Sequence, residues 1–381
     1  MSLNQTDKPA MRVLQILPAL ETGGVERTSV DIVEALCSRG HVAHVLSAGG
    51  RLEAEIESLG GHLHTSPIGS KNVLTLISRI FEIKSLIKRH DINIVHVRSR
   101  APAWPAYFAA KWTRTPLVTT YHGIYNANGG LKRSYNSIMS KGDAVIANST
   151  FTRDHILRTH NIPTDKITVI PRGVDMKVFD PLAISDDAVT DQRNIWGGPQ
   201  DKFIVLPGRL TRWKGQLDAL EAFAKLPKSC RLILVGDAQG RDNYVLEIKE
   251  RIQALNLNGR VILEGHRSDM SLVLASGHVV LSASNEPEAF GRVAAEAQAM
   301  GRPVVATALG GALETVEDGK TGWLVPVGDS DAMAKAIKRA LAWPDYDAKR
   351  SRTRIMRYFS RKSLQARVLA VYSELLTAKN R

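Results

Sequence analysis

The most informative part of this sequence carries two carboxylates, Glu288 and Glu296, with seven residues between them. Pro287 and Gly291 indicate a loop around the first carboxylate, and an alanine-rich stretch from Phe290 predicts a helix that carries the second. The second acid then lies about 9 Å further along the helix axis, and the positive N-terminal end of the helix favours a bound anion. This layout suits a polyhydroxylated anion such as a nucleotide sugar. The alternative is an acid that caps the helix, followed by an exposed helical glutamate.

A glycine-bounded basic turn, Gly208 to Gly215, directly follows an apolar run that we predict to be the strand Phe203–Leu206. The turn carries Arg209 and Lys214 at the carboxyl end of that strand, which is the edge where ligands bind in doubly wound sheets. A guanidinium fork and an ammonium point charge both bind phosphate oxygens, and the N-terminus of the next helix adds backbone N–H groups. The turn therefore predicts a diphosphate site rather than a solvated basic loop.

Two further strand ends carry residues that can face a ligand. Gly23 and Gly24 follow the first predicted strand and let a ligand approach the backbone closely, and Gly310-Gly311 repeats this arrangement in the second half of the chain. His122 ends another predicted strand, where its imidazole can hydrogen-bond a hydroxyl group or stabilise charge. A structural histidine is the alternative for His122.

Metal and disulfide chemistry find little support in the sequence. Asp329-Ser330-Asp331 has the spacing of a metal-binding D-x-D motif, but it stands before a predicted helix, where aspartate and serine are common N-caps. We therefore predict capping, and no other residues have metal-ligand spacing. The two cysteines, Cys37 and Cys230, lie in different halves of the chain, which fits a reducing compartment better than a disulfide. No cofactor and no metal are expected.

Alternating strands and helices predict two α/β units built on doubly wound parallel sheets. The predicted strands of the first unit are Arg12–Leu17, Ala43–Ser47, Ile94–Val97, Leu117–Thr120, Ala144–Ala147 and Thr168–Ile170. Those of the second unit are Phe203–Leu206, Arg231–Val235, Val261–Glu264, Val279–Ser282, Pro303–Ala306 and Trp323–Val325. We predict a first domain over residues 11–180, a polar linker over 181–200, a second domain over 201–353 and a C-terminal helix over 354–378. The last helix can pack on the first domain or locally.

The formal net charge of +13 indicates an anionic partner, such as nucleic acid, anionic lipid or a phosphorylated substrate. Residues 73–90 predict a basic amphipathic helix that can either lie on an anionic membrane surface or pack in the core with a solvated basic face. No nucleic-acid-binding motif is present, so no nucleic acid is expected. No apolar run is long enough to cross a membrane, and Met1 to Pro9 lacks the apolar core of a signal peptide, with Met11 as an alternative start. These features predict a cytoplasmic protein, either free or peripheral on the inner face of the cytoplasmic membrane.

The two-carboxylate segment resembles the E-x7-E signature of the family 4 retaining glycosyltransferases, which have the two-lobed GT-B fold. The resemblance covers residues 11–378, nearly the whole chain. It is carried, in the family's order, by Gly23-Gly24, Pro171-Arg172-Gly173-Val174-Asp175, Gly208-Arg209 with Lys214-Gly215, Glu288-Ala289-Phe290-Gly291 with Glu296, Gly301 to Thr307, Gly310-Gly311 with Glu314, and Asp318 to Gly322. Each motif is short, and their joint order is specific. The resemblance implies two Rossmann-like doubly wound domains that face a cleft.

The resemblance also implies roles for individual residues. Glu288 would bind hydroxyls of the donor sugar, Glu296 would bind the ribose, and Arg209 and Lys214 would neutralise the departing diphosphate. His122 would lie near the transferred sugar and would complete the catalytic set with Glu288, Arg209 and Lys214. The implied donor-binding residues are Gly23, Gly24, Arg209, Lys214, Gly265, His266, Arg267, Glu288, Ala289, Phe290, Gly291, Arg292 and Glu296. The backbone of residues 265–267 would meet the base, and no essential metal is implied.

Two residues depart from the family pattern. Arg172 stands where asparagine is usual, and Arg292 stands where an apolar residue is usual. For Arg292, a contact with a phosphate or an anionic acceptor and a simple exposed helix arginine are equally open.

The expected function is retaining transfer of a hexose from a UDP- or GDP-linked donor to a glycan or lipid-linked acceptor. His96 to Trp104, Tyr121 to Gly123 and Tyr135 to Ser137 resemble bacterial enzymes of lipopolysaccharide or envelope-glycan assembly. Together with the basic surplus, this similarity indicates an anionic lipid-linked acceptor at the membrane face. The alternatives are a sugar-nucleotide epimerase or a pyridoxal-dependent phosphorylase of the same architecture, and a basic binding protein without catalysis. The complete set of cations and carboxylates favours transfer.

Overall fold

The computed structural model describes residues 10–21, 23–70, 72–125 and 129–379 of the chain. The chain forms two compact units. One unit runs up to Gly173 and takes up the chain again from Lys362, and the other is the continuous segment Val174–Arg361. The prediction made for Met1 to Pro9 lies outside the described residues.

The first unit contains a seven-stranded parallel sheet. Its strands are β1 (Arg12–Ile16), β2 (Val42–Ser47), β3 (His62–Thr65), β4 (Ile94–Val97), β5 (Leu117–Tyr121), β6 (Ala144–Ala147) and β7 (Ile167–Val169). Its first six helices are α1 (Gly24–Cys37), α2 (Glu53–Ser58), α3 (Leu76–Arg89), α4 (Arg100–Thr113), α5 (Gly130–Asn136) and α6 (Thr150–Thr159). The strands follow the spatial order β3-β2-β1-β4-β5-β6-β7.

The second unit contains a six-stranded parallel sheet. Its strands are β8 (Lys202–Pro207), β9 (Cys230–Val235), β10 (Val261–Gly265), β11 (Val279–Ser282), β12 (Val304–Thr307) and β13 (Gly322–Val325). Its helices are α7 (Asp186–Trp196), α8 (Gln216–Phe223), α9 (Asp242–Ala254), α10 (Met270–Ser276), α11 (Arg292–Ala299), α12 (Ala312–Thr315), α13 (Ser330–Leu341) and α14 (Ala348–Tyr358). The spatial order is β10-β9-β8-β11-β12-β13.

Both sheets have buried central strands because the helical crossovers cover the two faces of a parallel sheet. In β12, for example, Val304, Val305 and Ala306 are completely buried. The doubly wound α/β fold predicted from the sequence is confirmed, and every predicted strand is present within one or two residues. The edge strand β3 is an addition, and its short, largely polar sequence gives no apolar pattern from which to predict it.

Residues 181–200 differ from the predicted linker, because they contain helix α7 and belong to the second unit. Ser185 caps this helix by accepting a hydrogen bond from the Ala188 N–H. At the other end Trp196 is buried against Phe203 of β8, with ring centroids 5.7 Å apart. The polar composition of this segment is that of a helix with one exposed face.

The predicted final helix is two helices in the structure. Helix α14 ends at Tyr358, and α15 (Arg361–Lys379) begins after a break at Phe359. Val174 occupies the break, because its N–H donates to the Phe359 carbonyl at 2.7 Å and its own carbonyl accepts from the Arg361 N–H at 2.9 Å. A contact from a distant part of the chain therefore sets the end of α14.

Helix α15 completes the core of the first unit. Leu364, Val368 and Leu376 are buried in the same apolar cluster as residues of β1 and α1. Tyr372 is fully buried, and its hydroxyl hydrogen-bonds Nδ1 of His96 in β4. The first unit is thus built from two separated parts of the chain.

Candidate active site

The strand order of the second unit reverses between β8 and β11, and such a switch point is where doubly wound sheets bind ligands. The chain leaving β8 forms a basic loop (residues 208–215) that carries Lys214, and the chain leaving β11 forms an acidic loop (residues 283–291) that carries Glu288. Nζ of Lys214 lies 2.8 Å from Oε1 of Glu288, and the two side chains are only 12% and 16% exposed. The structure therefore joins two of the predicted catalytic residues in a shielded ion pair.

Backbone contacts fasten the basic loop to the acidic loop. Gly215 has φ +69°, and a Cβ atom there would lie 1.9 Å from the carbonyl oxygen of Ala283, so no other residue fits this approach. The N–H of Asn285 donates to the carbonyl of Trp213 at 2.9 Å. The separation of the ammonium and carboxylate groups is thus set by the backbone as well as by their own attraction.

A third loop, which follows β12, holds Glu288 in place. The N–H of Gly311 donates to the carbonyl of Glu288 at 2.7 Å. Gly310 has φ +53°, and a Cβ atom there would lie 2.3 Å from the same carbonyl oxygen. The hydroxyl of Ser284 donates to Oε1 of Glu288 and orients the carboxylate. Both the backbone and the side chain of Glu288 are therefore positioned before any ligand binds.

Glu296 lies in α11, and its side chain is 9% exposed. The guanidinium of Arg292, one helical turn earlier, donates from Nε to Oε1 of Glu296. Burial raises the pKa of Glu296, and the adjacent Arg292 opposes that rise by stabilising the carboxylate. Arg292, for which the sequence left two interpretations open, is thus an ion-pair partner of a predicted donor-binding acid.

The residues between the two acids connect the acidic loop to α11. Phe290 is buried and packs on Phe359, with ring centroids 5.9 Å apart, while Ala289 is half-buried. Gly291 is the N-cap of α11, which starts two residues later than predicted, at Arg292. Helix α11 therefore begins four residues after Glu288 in the chain, and the dipole at a helix N-terminus favours an anion.

Arg209 stands in the basic loop with an exposed side chain. Its backbone is fixed, because Nε2 of Gln216 donates to the Arg209 carbonyl at 3.0 Å. Within the described parts of the chain, the Arg209 guanidinium has no hydrogen bond or ion pair. The basic loop thus presents one cation paired with a carboxylate and a second cation that faces solvent.

The predicted base-binding stretch begins at Gly265, at the end of β10, whose carbonyl accepts from the N–H of Gly236 at 2.7 Å. His266 is exposed. The Arg267 side chain is engaged inside the unit, with ion pairs to Glu264 and Asp269, and these carboxylates raise its pKa. The Arg267 side chain is therefore occupied by contacts inside the unit, while the His266 side chain is open to solvent.

In the first unit, residues that follow the strands β1, β5 and β7 come together. The Arg172 guanidinium lies over Gly24, where an added Cβ would be 2.2 Å from Nη1. Nη2 of Arg172 and the side-chain amide of Asn148 both approach the carbonyl of His122, at 3.4 and 3.1 Å. Gly23 is the N-cap of α1. Arg172, which stands where the family usually has asparagine, thus places a cation beside Gly24 and His122, two of the predicted site residues.

His122 is held neutral by its surroundings. Its two ring nitrogens are buried, and they have no hydrogen-bond partner among the residues that the structure describes. Burial, and then the nearby Arg172 and Arg98 guanidinium groups, lower the pKa of His122 well below its usual value. Arg98 is buried and donates from Nη2 to Oε1 of Gln15 at 2.7 Å. Two guanidinium groups therefore lie close to a neutral imidazole with unsatisfied nitrogens.

Two sequence families match this chain, the Glycosyltransferase Family 4 over residues 22–178 and the Glycosyl transferases group 1 over residues 189–357. The crystal structure of a glycosyltransferase from Rickettsia africae is 35% identical, covers 96% of this chain and 99% of that chain, and superposes with a TM-score of 0.89. The chain belongs to glycosyltransferase family 4. The GT-B fold implied by the sequence resemblance is confirmed by these matches.

Two other relatives of this family 4 protein have more specific names. HepE of Anabaena, solved in complex with UDP and glucose, is 25% identical, with 95% of this chain and 99% of that chain covered and a TM-score of 0.80. The D-inositol 3-phosphate glycosyltransferase of Xylanimonas cellulosilytica is 30% identical over 66% of this chain. That match spans 64% of the length of the curated relative.

Sequence patterns did not indicate every supporting residue of the candidate site. Ser284 is one of several serines near strand ends, and only the fold shows that it bonds Glu288. Arg98 follows β4 in a basic stretch, and its burial against Gln15 depends on the neighbouring strand β1. A polar residue directly after a buried strand is the signal that identifies both, although it also marks many residues without a role.

The structure tests the expectations about metal-binding residues in two places. Oδ1 of Asp329 accepts from the N–H of Ala332 at 2.8 Å, so the predicted capping role of the D-x-D motif is confirmed. The expectation that the chain has no metal site stays a prediction, although ligand nitrogens of His44, His64 and His90 form a cluster within 4.8 Å of one another in the first unit. Residues from three separate elements make this cluster, so their spacing in the sequence gave no sign of it.

Helix α3 of the first unit is a core-packed helix with a basic surface. Its inner face buries Ile80, Ile83, Leu86 and Ile87. Arg79 is buried too, because its guanidinium donates to the carbonyls of Ser70 at 2.6 Å and Asn72 at 2.8 Å. The interpretation of residues 73–90 as a helix that packs in the core is therefore confirmed.

The same region also exposes an apolar patch, formed by Leu74, Ile77, Phe81 and Trp112. Leu74 is 90% exposed and Ile77 is 65% exposed. The rings of Phe81 and Trp112 are 5.9 Å apart, and Nζ of Lys84 lies 5.5 Å from the Trp112 ring. Among the described residues, no helix has both the length and the apolar content needed to cross a bilayer.

Proposed function

We propose that this family 4 protein is a retaining glycosyltransferase that moves a hexose from a nucleoside diphosphate sugar to an anionic glycan or lipid-linked acceptor. The observation that carries the proposal is the shielded Lys214–Glu288 ion pair at the switch point of the second unit. Arg209 stands in the same basic loop with an exposed guanidinium. A phosphate group and a sugar hydroxyl are the two groups that this combination of cations and carboxylate binds.

In the proposed complex, the diphosphate lies against Arg209 and Lys214. Lys214 then shares its charge between the phosphate and Glu288, and Glu288 accepts hydrogen bonds from the hydroxyls of the donor sugar. Glu296 binds the ribose, and the backbone of residues 265–267 meets the base. The position of the ion pair between loops fixed by backbone contacts supports this assignment, because such loops keep their geometry when the ligand arrives.

The proposed reaction keeps the anomeric configuration. The bond between the anomeric carbon and the phosphate oxygen breaks, and the acceptor oxygen bonds the same carbon on the same face. The acceptor proton passes to the departing phosphate oxygen. Arg209 and Lys214 stabilise the negative charge that grows on this phosphate, and each such contact typically lowers the barrier by about 3–4 kcal/mol. These cations supply the charge for which other enzymes use a metal ion, so we propose no essential metal.

A UDP-linked donor receives support from HepE, which was solved in complex with UDP and glucose.

The acceptor proposal rests on the first unit. Arg98 and Arg172 lie near the neutral His122, whose buried ring nitrogens have no partner within the described residues. This set suits an acceptor that carries both a hydroxyl and a phosphate or carboxylate, and the name of the inositol-phosphate relative supports an anionic acceptor.

A place on the cytoplasmic face of the membrane is proposed from the apolar patch. Leu74, Ile77, Phe81 and Trp112 present apolar side chains to solvent, and Nζ of Lys84 lies near the Phe81 and Trp112 rings. Exposed apolar side chains beside a cation suit interfaces that contain anionic lipids. This location suits an acceptor of lipopolysaccharide or envelope-glycan assembly that is anchored in the membrane.

The test starts with donor binding and continues with transfer. UDP-glucose, UDP-galactose, UDP-N-acetylglucosamine and GDP-mannose are compared by thermal shift, because a tight ligand of the folded state raises the melting temperature. The best donor is then incubated with an extract of bacterial lipid-linked glycans, in the presence and absence of EDTA. We expect labelled sugar in the lipid fraction, an anomeric configuration by NMR that equals that of the donor, and no loss with EDTA.

Other outcomes would identify the alternatives. Conversion of the donor to an isomer without any acceptor would indicate an epimerase. Salt-sensitive binding of an oligonucleotide, with no thermal shift by any sugar nucleotide, would indicate a basic binding protein and would refute the proposal.

A further inference from the structure

We infer that His44, His64 and His90 form a binding site for a transition-metal ion, with Zn²⁺ as the ion that fits the three imidazoles. These residues are called the histidine cluster below. One ligand nitrogen from each residue lies within 4.8 Å of those of the other two. The site is separate from the proposed transfer reaction, and neither proposal depends on the other.

The fold, and not the sequence spacing, brings the histidine cluster together. Strands β2 and β3 are parallel neighbours, with His44 paired to His62 and Leu46 paired to His64. Residues two apart on a strand share a face, so His44 lies on the same face as Leu46, which packs in the cluster that contains the inner residues of α3. His90 directly follows α3. Two strands and a helix end therefore direct imidazoles to one place.

The geometry suits a three-coordinate protein site. Nδ1 of His44 lies 3.0 Å from Nε2 of His64, and the rings of His44 and His90 have centroids 4.7 Å apart. In a tetrahedral zinc site, ligand nitrogens about 2.0–2.1 Å from the ion are separated from one another by roughly 3.3 Å. Small side-chain movements are enough to reach this spacing. Three imidazoles with an open fourth position are one of the known ligand sets of zinc.

The ligand atoms of the histidine cluster are of a kind that binds transition metals. Only a neutral imidazole ligates a metal, so an ion binds the cluster in competition with protons. Arg12, which lines the same cavity as the histidine cluster, is paired with Asp91 at 2.8 Å, and this carboxylate offsets its repulsion of a cation.

The cluster is also accessible. It lines a cavity of about 530 Å³ at the edge of the sheet, together with Arg12 and Glu57. His64 and His90 are half-buried, while His44 is 4% exposed. An ion can therefore enter from solvent, and Glu57 supplies a carboxylate on the wall of the same cavity. Imidazole ligands suit Zn²⁺, Cu²⁺ and Ni²⁺, and they do not select the hard ions Mg²⁺ and Ca²⁺.

The consequence of a bound ion is structural. β3 is a short edge strand of four residues, and the apolar face of α3 packs against side chains of the sheet. An ion held by His44, His64 and His90 would link β2, β3 and the end of α3 to one another. We therefore expect Zn²⁺ to raise the unfolding temperature of the full chain.

The test measures Zn²⁺ binding to the full chain, prepared without a polyhistidine tag, by competition with a chromophoric chelator. We expect one Zn²⁺ per chain, a higher melting temperature with Zn²⁺, and the visible spectrum of a tetrahedral ion when Co²⁺ replaces Zn²⁺. His64→Asn and His90→Asn should each weaken Zn²⁺ binding at least about 100-fold, because even second-shell changes typically cost 10- to 100-fold. Mg²⁺ should give no shift.

The matched control is His155→Asn, which replaces another half-buried histidine of the same unit, on α6. It should bind Zn²⁺ like the wild type. Half-exposed positions were chosen so that the variants fold, and a melting curve without metal checks this for each one. If one variant fails to fold, the other carries the comparison. A wild-type chain without stoichiometric Zn²⁺, or folded variants that keep wild-type affinity, would show that the imidazoles are ordinary packing and would overturn the inference.

Discussion

The shielded Lys214–Glu288 ion pair leads us to predict that the Lys214 side chain contributes both to protein stability and to ligand affinity. Replacing Lys214 with methionine keeps most of the side-chain volume and removes the ammonium charge. Among the described residues, the Glu288 carboxylate, whose side chain is 16% exposed, then keeps only the hydrogen bond from Ser284. We expect Lys214→Met to lower both the free energy of unfolding and the affinity for UDP.

The expected magnitude follows from the burial of the pair. A hydrogen bond to a charged group contributes about 1.5–3 kcal/mol when its removal leaves the partner poorly solvated. The Lys225–Asp331 pair of the same unit has a similar distance of 2.8 Å but exposures of 38% and 74%. Exposed pairs of this kind contribute about 0–1 kcal/mol. Lys225→Met is therefore a matched control that removes the same charge from the same unit.

Two measurements check this prediction. Urea unfolding followed by tryptophan fluorescence gives the midpoint and slope, and a lower midpoint with an unchanged slope reports lost stability. Titration calorimetry with UDP gives the affinity, which should fall about 10- to 100-fold for Lys214→Met, because about 1.4 kcal/mol corresponds to a factor of ten. Lys225→Met should change UDP affinity less than about threefold.

Either of two results would refute this reasoning. If Lys214→Met and Lys225→Met lose the same stability, the burial of the Lys214–Glu288 pair has no energetic meaning. If Lys214→Met binds UDP like the wild type while the wild type binds it tightly, the basic loop does not hold the diphosphate.

The remaining predictions concern the same two units. With the donor found by thermal shift, Glu288→Gln should lower kcat about 100- to 1000-fold and leave donor affinity nearly unchanged. Glu286 is exposed, so Glu286→Gln should keep the wild-type kcat. Equal effects of the two substitutions on kcat would show that Glu288 is not part of the site. Gly310→Ala should lower the free energy of unfolding of the second unit by more than about 1–2 kcal/mol in urea, because Gly310 has φ +53° and an added Cβ would meet the Glu288 carbonyl. Gly259 has φ +74° but open space around it, so Gly259→Ala should lower the free energy of unfolding less. For His122, the lowered pKa keeps the folded state unprotonated while the unfolded state gains a proton below about pH 6.5. Wild-type stability should therefore fall as the pH drops from 7 to 5, and His122→Asn should reduce that loss by up to about 1.4 kcal/mol per pH unit; an unchanged pH dependence would contradict the buried neutral imidazole.

Much of the fold was predictable because apolar runs of four to six residues alternate with amphipathic stretches in both units. The parts that the sequence did not reveal depend on contacts between distant residues. The end of α14 is set by Val174, which inserts its backbone groups beside Phe359. The strand β3 owes its place to backbone pairing with β2, since its own side chains are largely polar. Helix α7 is polar because only one of its faces is covered.

The candidate site shows the same division. Lys214 and Glu288 were predictable because each follows a buried strand in a glycine-marked loop, and neighbouring strand ends bring such loops together. The contact between Arg292 and Glu296 was predictable, because side chains four residues apart meet on a helix. The burial of Glu296, which makes the contact significant, was not predictable from the sequence. The histidine cluster was not predictable, since its members come from two strands and a helix end that only the sheet order makes neighbours. The roles of the site residues in catalysis stay predictions.

The position of α15 has a consequence for how this polypeptide folds as it is made. Synthesis proceeds from the N-terminus, so every residue of the segment Val174–Arg361 leaves the ribosome before Tyr372 does. The second unit can therefore reach its native state while the first unit still lacks Leu364, Val368 and Tyr372, whose hydroxyl hydrogen-bonds His96 in the complete chain. The N-terminal half of the nascent chain must wait with an uncovered apolar surface, which is the period when chaperone binding or aggregation competes with folding.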